Sequence, residues 1–156
     1  MKKIATDECL VSLLGAIRRR MEIYSAAMGV LKIKNEISLR SIFRHYQEES
    51  AAAVKQLTDD LGLDASDLTS EVLFDTRSFS IKSVNDLFST DVCNVLGVCK
   101  SVEELCTQAY QRAIVALDES RLLLSFHIRE QAEQQYMASH HINTLLDCNL
   151  LNRQAV

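Results

Sequence analysis

The amino-acid sequence predicts an all-α domain built as an antiparallel four-helix bundle, with two helical hairpins joined by a long crossover that contains a short helix. Three observations lead there. Proline is absent from the 156 residues and glycine occurs four times, so a helix is forced to stop at few points. Aromatics make up 6% of the chain and tryptophan is missing, while Leu, Ala, Glu, Gln and Ser are plentiful, which argues against a β-sandwich or barrel. Four separate stretches space their apolar residues alternately four and three apart, the mark of a helix with one buried stripe.

The first stretch follows Thr6-Asp7-Glu8, a capping hydroxyl with two carboxylates suited to the positive end of a helix. Leu10, Leu14, Ile17, Met21, Tyr24, Met28 and Leu31 then form its stripe. This predicts helix 1 over about 7–30, ending near Gly29 with Lys32 and Lys34 at its negative end. The second helix, about 36–61, has the stripe Leu39, Phe43, Tyr46, Ser50, Ala53, Leu57 and Leu61, and Gly62 as its stop. A short link between the two implies an antiparallel pair. Residues 63–90 are the least regular part and form the crossover, in which Ile81, Val84, Leu87 and Phe88 predict a short helix over about 80–88.

Helix 3, about 91–118 and capped by Ser89 or Thr90, carries Val92, Leu96, Cys99, Glu103, Cys106, Tyr110, Ala113 and Leu117 on one side. Gly97 inside it suggests a close contact, and Ser101 with Glu104 offers an alternative start after a break at that glycine. Helix 4, about 121–148, follows a turn near Asp118-Glu119-Ser120. Its stripe of Leu124, Ile128, Gln131, Gln135, Ala138, Ile142 and Leu145 is polar in the middle. The whole of 1–156 thus reads as one domain.

With 17 basic and 21 acidic residues the net charge is −4, which points away from nucleic acid or an anionic membrane as the main partner. No apolar run approaches the roughly 20 residues of a membrane span. An odd set of five cysteines, behind a start that lacks the apolar core of a signal peptide, fits a reducing cytoplasm. Cys99 and Cys106 lie one heptad apart, too far to pair with each other, and read as core residues. Arg18-Arg19-Arg20 reads as a solvated helix face. His45 and His127 read as solvated or hydrogen-bonded. No phosphate-binding glycine loop, nucleophile elbow or Cys-x-x-Cys occurs, so no catalytic residue is assigned.

With its helices laid out, the chain resembles the bacterial ferritin-like four-helix-bundle family DUF2383. The first hairpin contributes Tyr24-Ser25-Ala26-Ala27, Leu39 to Phe43, Glu49 with the alanine run after it, and Leu57. The second contributes Asp91-Val92-Cys93-Asn94-Val95-Leu96, Glu103, Tyr110-Gln111-Arg112-Ala113-Ile114, Gln131 and His140-His141-Ile142. The chain departs from the family at Met21 and at the histidine pair. The resemblance implies the fold and little chemistry.

A carboxylate-bridged di-metal site in such a bundle takes Glu from two helices and Glu-x-x-His from the other two. No Glu-x-x-His occurs in this sequence. A reduced Fe, Mn or Zn site would use Glu22, Glu49 and Glu103 with His140 or His141. The alternative is a structural polar layer of Met21, Glu49, Glu103, Gln131 and Gln135, in which amides or an arginine hold Glu103 and Glu103→Gln costs at most about 1 to 2 kcal/mol. The expected function is accordingly that of a non-catalytic bundle acting as a homodimer, a larger homo-oligomer or a partner-binding module, without a cofactor.

Overall fold

The computed structural model describes residues 2–33, 36–63, 91–117 and 120–154, which form four α-helices and no strand. They are α1 (Lys2–Ile33), α2 (Ile37–Leu61), α3 (Val92–Ala116) and α4 (Leu122–Gln154). The expected short helix at 80–88, and the Asp118-Glu119 part of the expected turn, lie outside the described residues. None of the four helices is long and apolar enough to cross a membrane.

Local chemistry explains most of the helix ends. Gly62 closes α2 in the left-handed region at φ +66°, where its N–H bonds the Asp59 carbonyl and the Leu63 N–H bonds that of Thr58. Glycine takes this conformation without the Cβ clash other residues meet. Asp91, rather than Ser89 or Thr90, caps α3: its Oδ1 accepts from the Asn94 N–H at 3.1 Å. Leu117 ends α3 by turning extended.

Two helices outrun their expected limits. α1 begins at Lys2 and passes through Gly29 to Ile33, and α4 continues to Gln154. A single glycine costs about 1 kcal/mol in a helix, and the buried Val30 and Leu31 just beyond Gly29 hold α1 in register. α3 likewise does not break at Gly97; Ser101 instead donates to the Gly97 carbonyl one turn back. A Cβ on Gly97 would meet nothing within 4 Å, so the expected close contact is absent among the described residues.

Each helix packs on two neighbours: α1 on α2 and α3, and α4 on α3 and, along a narrower seam, on α2. Cross-helix hydrogen bonds fix the directions. Arg20 meets Glu49 while Tyr24, one turn later, lies against Phe43 and Tyr46, so α1 and α2 are antiparallel. By the same reasoning α3 opposes α1, and α4 opposes α2 and α3. The order is up, down, down, up, which places the end of α2 and the start of α3 at opposite ends of the bundle.

The core falls into two apolar clusters. One gathers Tyr24, Leu31, Phe43, Leu96, Val102 and Ile142; the other Leu13, Ile17, Leu57, Cys106, Ala113 and Ile128. Between them, at mid-height, sit the buried polar residues Arg20, Ser50, Glu103, Gln131 and Gln135.

The capping Gly62 and the helical Gly97 give opposite expectations. Gly62→Ala should lower stability by about 1 kcal/mol, because alanine disfavours the left-handed region. Gly97→Ala should raise it by about 0.5 to 1 kcal/mol, since the new methyl has room and the helix gains propensity. Urea denaturation checks both, and equal effects of the same sign would contradict the geometry.

Candidate functional site: the polar layer and the faces around it

The middle of the bundle is organised by one arginine. Arg20 is only 3% exposed, and Glu103 opposite it on α3 is fully buried. Arg20 Nε donates to Glu103 Oε1 at 2.6 Å, while its Nη1 donates to Glu49 Oε1 and Ser50 Oγ, both at 3.1 Å. The guanidinium also lies 5.6 Å from the centre of the Tyr24 ring and 5.5 Å from that of Tyr46, within cation–π range.

Glu103 has two further donors. The Tyr24 hydroxyl donates to Oε1 at 2.6 Å, and Gln135 Nε2 donates to Oε2 at 2.8 Å. Gln135 Nε2 also reaches the Glu103 carbonyl, and its Oε1 accepts from Thr107. Below this level Gln131 accepts from Tyr110 OH and donates to Gln56 Oε1. Side chains from all four helices thus meet around the Arg20–Glu103 pair, where Arg20 Nη2 alone of its nitrogens is buried without a partner, and Gln131 with Tyr110 and Gln56 forms a second set beside it.

Burial is the largest single influence on Arg20 and works against its charge, but Glu103, Tyr24, Cys106 and Glu49 together outweigh it, and the guanidinium pKa lies above its ordinary value. Burial, then Glu103, raises the Tyr24 phenol well above its usual range. Burial first and Glu103 second push Tyr46 up to about 12. Tyr110 rises chiefly through burial, with the Cys106 thiol next. Cys99 and Cys106, both buried, are likewise raised mainly by burial and are not activated thiols.

The sequence-predicted site residues do not converge. Glu49 and Glu103 come to the same level, but through Arg20, which supplies the positive charge there. Glu22 is 58% exposed on the outside of α1, 3.2 Å from Arg19. His140 is exposed on α4, and His141 Nδ1 pairs with Tyr46 OH. Among the described residues no three His, Cys, Asp or Glu side chains form a metal-ligating group.

Two expectations need correction. Arg20 is buried, not part of a solvated face, and it replaces Met21 in the layer; Met21 is half-buried and lines a surface groove with Glu22 and Ser25. The reason is that α1 packs on two helices and buries a broad arc. Leu13, Ile17, Arg20, Tyr24, Ala27 and Leu31 form a second stripe with the same four-and-three spacing, and Arg20 lies at its centre. That stripe was the available signal. The cross-helix pairs Asp60–His127 and Tyr46–His141 carry no signal in the chain, being 67 and 95 residues apart.

Outside the layer, two grooves flank α4. One, about 840 Å³, runs along the α2 seam past Tyr46, Ala52, Gln56, Met137 and His141. The other, about 720 Å³, runs along α3 past Ile114, Phe126, Arg129, Glu133 and Tyr136. Glu103 lines neither, so its carboxylate is closed to a substrate in those grooves.

Removing one partner of a buried ion pair leaves the other charge stranded. Glu103→Gln should therefore cost about 3 kcal/mol in urea denaturation, more than the 1 to 2 expected of a neutral polar layer, and Arg20→Met should cost at least as much. A loss under about 1 kcal/mol for both would show that the pair is not held in the folded protein.

The tyrosines predict alkaline lability. Their raised pKa values keep Tyr24, Tyr46 and Tyr110 protonated when folded at a pH where the unfolded chain would lose those protons. The stability they confer is whole below about pH 10 and is lost as pH rises past it. The melting temperature should fall above that pH, and three of the four tyrosines should ionise together with loss of helical circular dichroism. Ionisation of these three with the helices intact would contradict the burial.

The chain matches no family model, no curated protein and no solved structure.

Proposed function

We propose that the protein is a non-catalytic helical-bundle module, ferritin-like in topology and a member of DUF2383, that acts by associating with itself or with a partner in a reducing cytoplasm. The up, down, down, up order with one long connection between the hairpins supports the ferritin-like reading. Five free thiols support the reducing compartment.

One observation carries the association reading: the buried charges of Arg20 and Glu103 pair with each other, while α4 leaves large apolar side chains in water. Of nine exposed large hydrophobic residues among the described residues, seven lie on α4, namely Leu122, Leu123, Phe126, Tyr136, Met137, Leu150 and Leu151. Concentration on one helix separates this from the scattered apolar exposure of ordinary surfaces.

The metal-binding alternative requires Glu22, Glu49 and Glu103 to face one ion. Arg20 stands between two of them and Glu22 faces outward, so the donors present do not fit such a centre.

Light scattering on the purified protein should show a dimer or larger species at tens of micromolar. A monomer at several hundred micromolar would overturn the self-association reading. In the same preparation, Fe(II), Mn(II) or Zn(II) should leave the melting temperature unchanged.

A further inference from the structure

We infer that the protein forms a two-fold symmetric dimer through the outer face of α4, with the two copies of that helix antiparallel and crossing between Tyr136 and Met137. This rests on the association reading above and names both partner and surface.

The geometry begins with the helical repeat. Leu122, Phe126, Arg129, Glu133, Tyr136, Met137, His140, Asp147 and Leu151 are all exposed and share the side of α4 opposite its buried stripe. From Leu122 to Leu151 this face is about 44 Å long at 1.5 Å per residue. Beside it, Ile114, Phe126 and Tyr136 line the α3–α4 groove, which gives a facing helix a depression in which to seat.

A two-fold axis through the point midway between Tyr136 and Met137 pairs residues equally distant from it. Leu122 of one copy then faces Leu151 of the other, Glu133 faces His140, and the Tyr136 and Met137 side chains of both copies gather at the centre. Arg129 and Asp147 are 18 residues, or five full turns, apart and so occupy the same side of the face. Across the axis, Arg129 lies about 4.5 Å along the helix from the level of Asp147 in the partner copy, within an arginine's reach.

Leucine meets leucine at both ends and Tyr136 meets Met137 at the centre, while Glu133 faces His140 and Asp147, level with Phe126 of the other copy, comes within reach of Arg129. The parallel arrangement instead sets Arg129 on Arg129, Glu133 on Glu133 and Asp147 on Asp147, so like charges oppose it. Self-complementarity of this kind is what an isologous two-fold interface demands.

Charge exchange tests the register. Arg129→Glu and Asp147→Arg should each weaken the dimer about ten-fold or more by sedimentation equilibrium, the equivalent of roughly 1.4 kcal/mol. The double variant should recover wild-type affinity, because the exchange restores the antiparallel pairs. Both positions are exposed, and unchanged melting curves would confirm that the variants fold. In a second arm, Tyr136→Cys on a Cys148→Ser background should form an inter-chain disulfide on mild oxidation, whereas Glu104→Cys on the exposed side of α3 should not. A wild-type dimer whose affinity ignores both single variants, with no cross-link at residue 136, overturns the α4 register and leaves the association reading standing. A wild-type monomer overturns both.

Discussion

The buried ion pair between Arg20 and Glu103 is the constraint on which the rest of the bundle depends. A guanidinium 3% exposed and a carboxylate with no exposure cannot sit in an apolar core unless every neighbouring helix turns a polar group toward them. α1 supplies the Tyr24 hydroxyl, α2 supplies Glu49 and Ser50, and α4 supplies Gln135. Each donor or acceptor sits at one height only. The layer therefore sets the register of all four helices, since sliding α1 or α3 by a turn would separate the buried charges at a cost of several kcal/mol, and sliding α2 or α4 would strip them of hydrogen-bond partners.

The layer also divides the hydrophobic core. Apolar clusters lie on both sides of it, one rich in aromatics around Tyr24, Phe43 and Tyr46, the other built of Leu, Ile and Ala. These clusters drive collapse, because they hold most of the apolar surface removed from water. Neither specifies alignment well, since leucine-rich stripes pack acceptably in several registers. Driving force and specificity are thus located in different residues. An arginine fills this role better than a lysine, because its fork reaches Glu103, Glu49 and Ser50 from one planar group.

The contrast between the inside and outside of α4 follows from the same economy of polar groups. Inward, the helix presents Gln131 and Gln135 to the layer; outward, it presents Phe126, Tyr136 and Met137 to water. Large apolar side chains on the far side of α4 from the core have no role in holding the monomer together. The narrow α2–α4 seam, held by Asp60–His127, Gln56–Gln131 and Tyr46–His141, leaves α4 the least enclosed of the helices.

Much of the architecture is legible in the chain. The four-and-three spacing, the absence of proline and the stop at Gly62 determine four helices, and the interior stripe of α4 from Leu124 to Ile142 is read correctly residue by residue, because local periodicity is a property of the backbone alone. Glu103 is also identifiable as a carboxylate in a buried stripe. Its partner is not: two stripes of equal quality run along α1, one through Met21 and one through Arg20, sharing Ile17, Tyr24 and Leu31, and the burial of Arg20 beyond that of Met21 depends on α1 lying between α2 and α3. That choice, the pairing of Asp60 with His127 and of Tyr46 with His141, and the closure of Glu103 by an arginine were decided only by tertiary structure, because they are relations between helices whose relative rotation no single helix encodes.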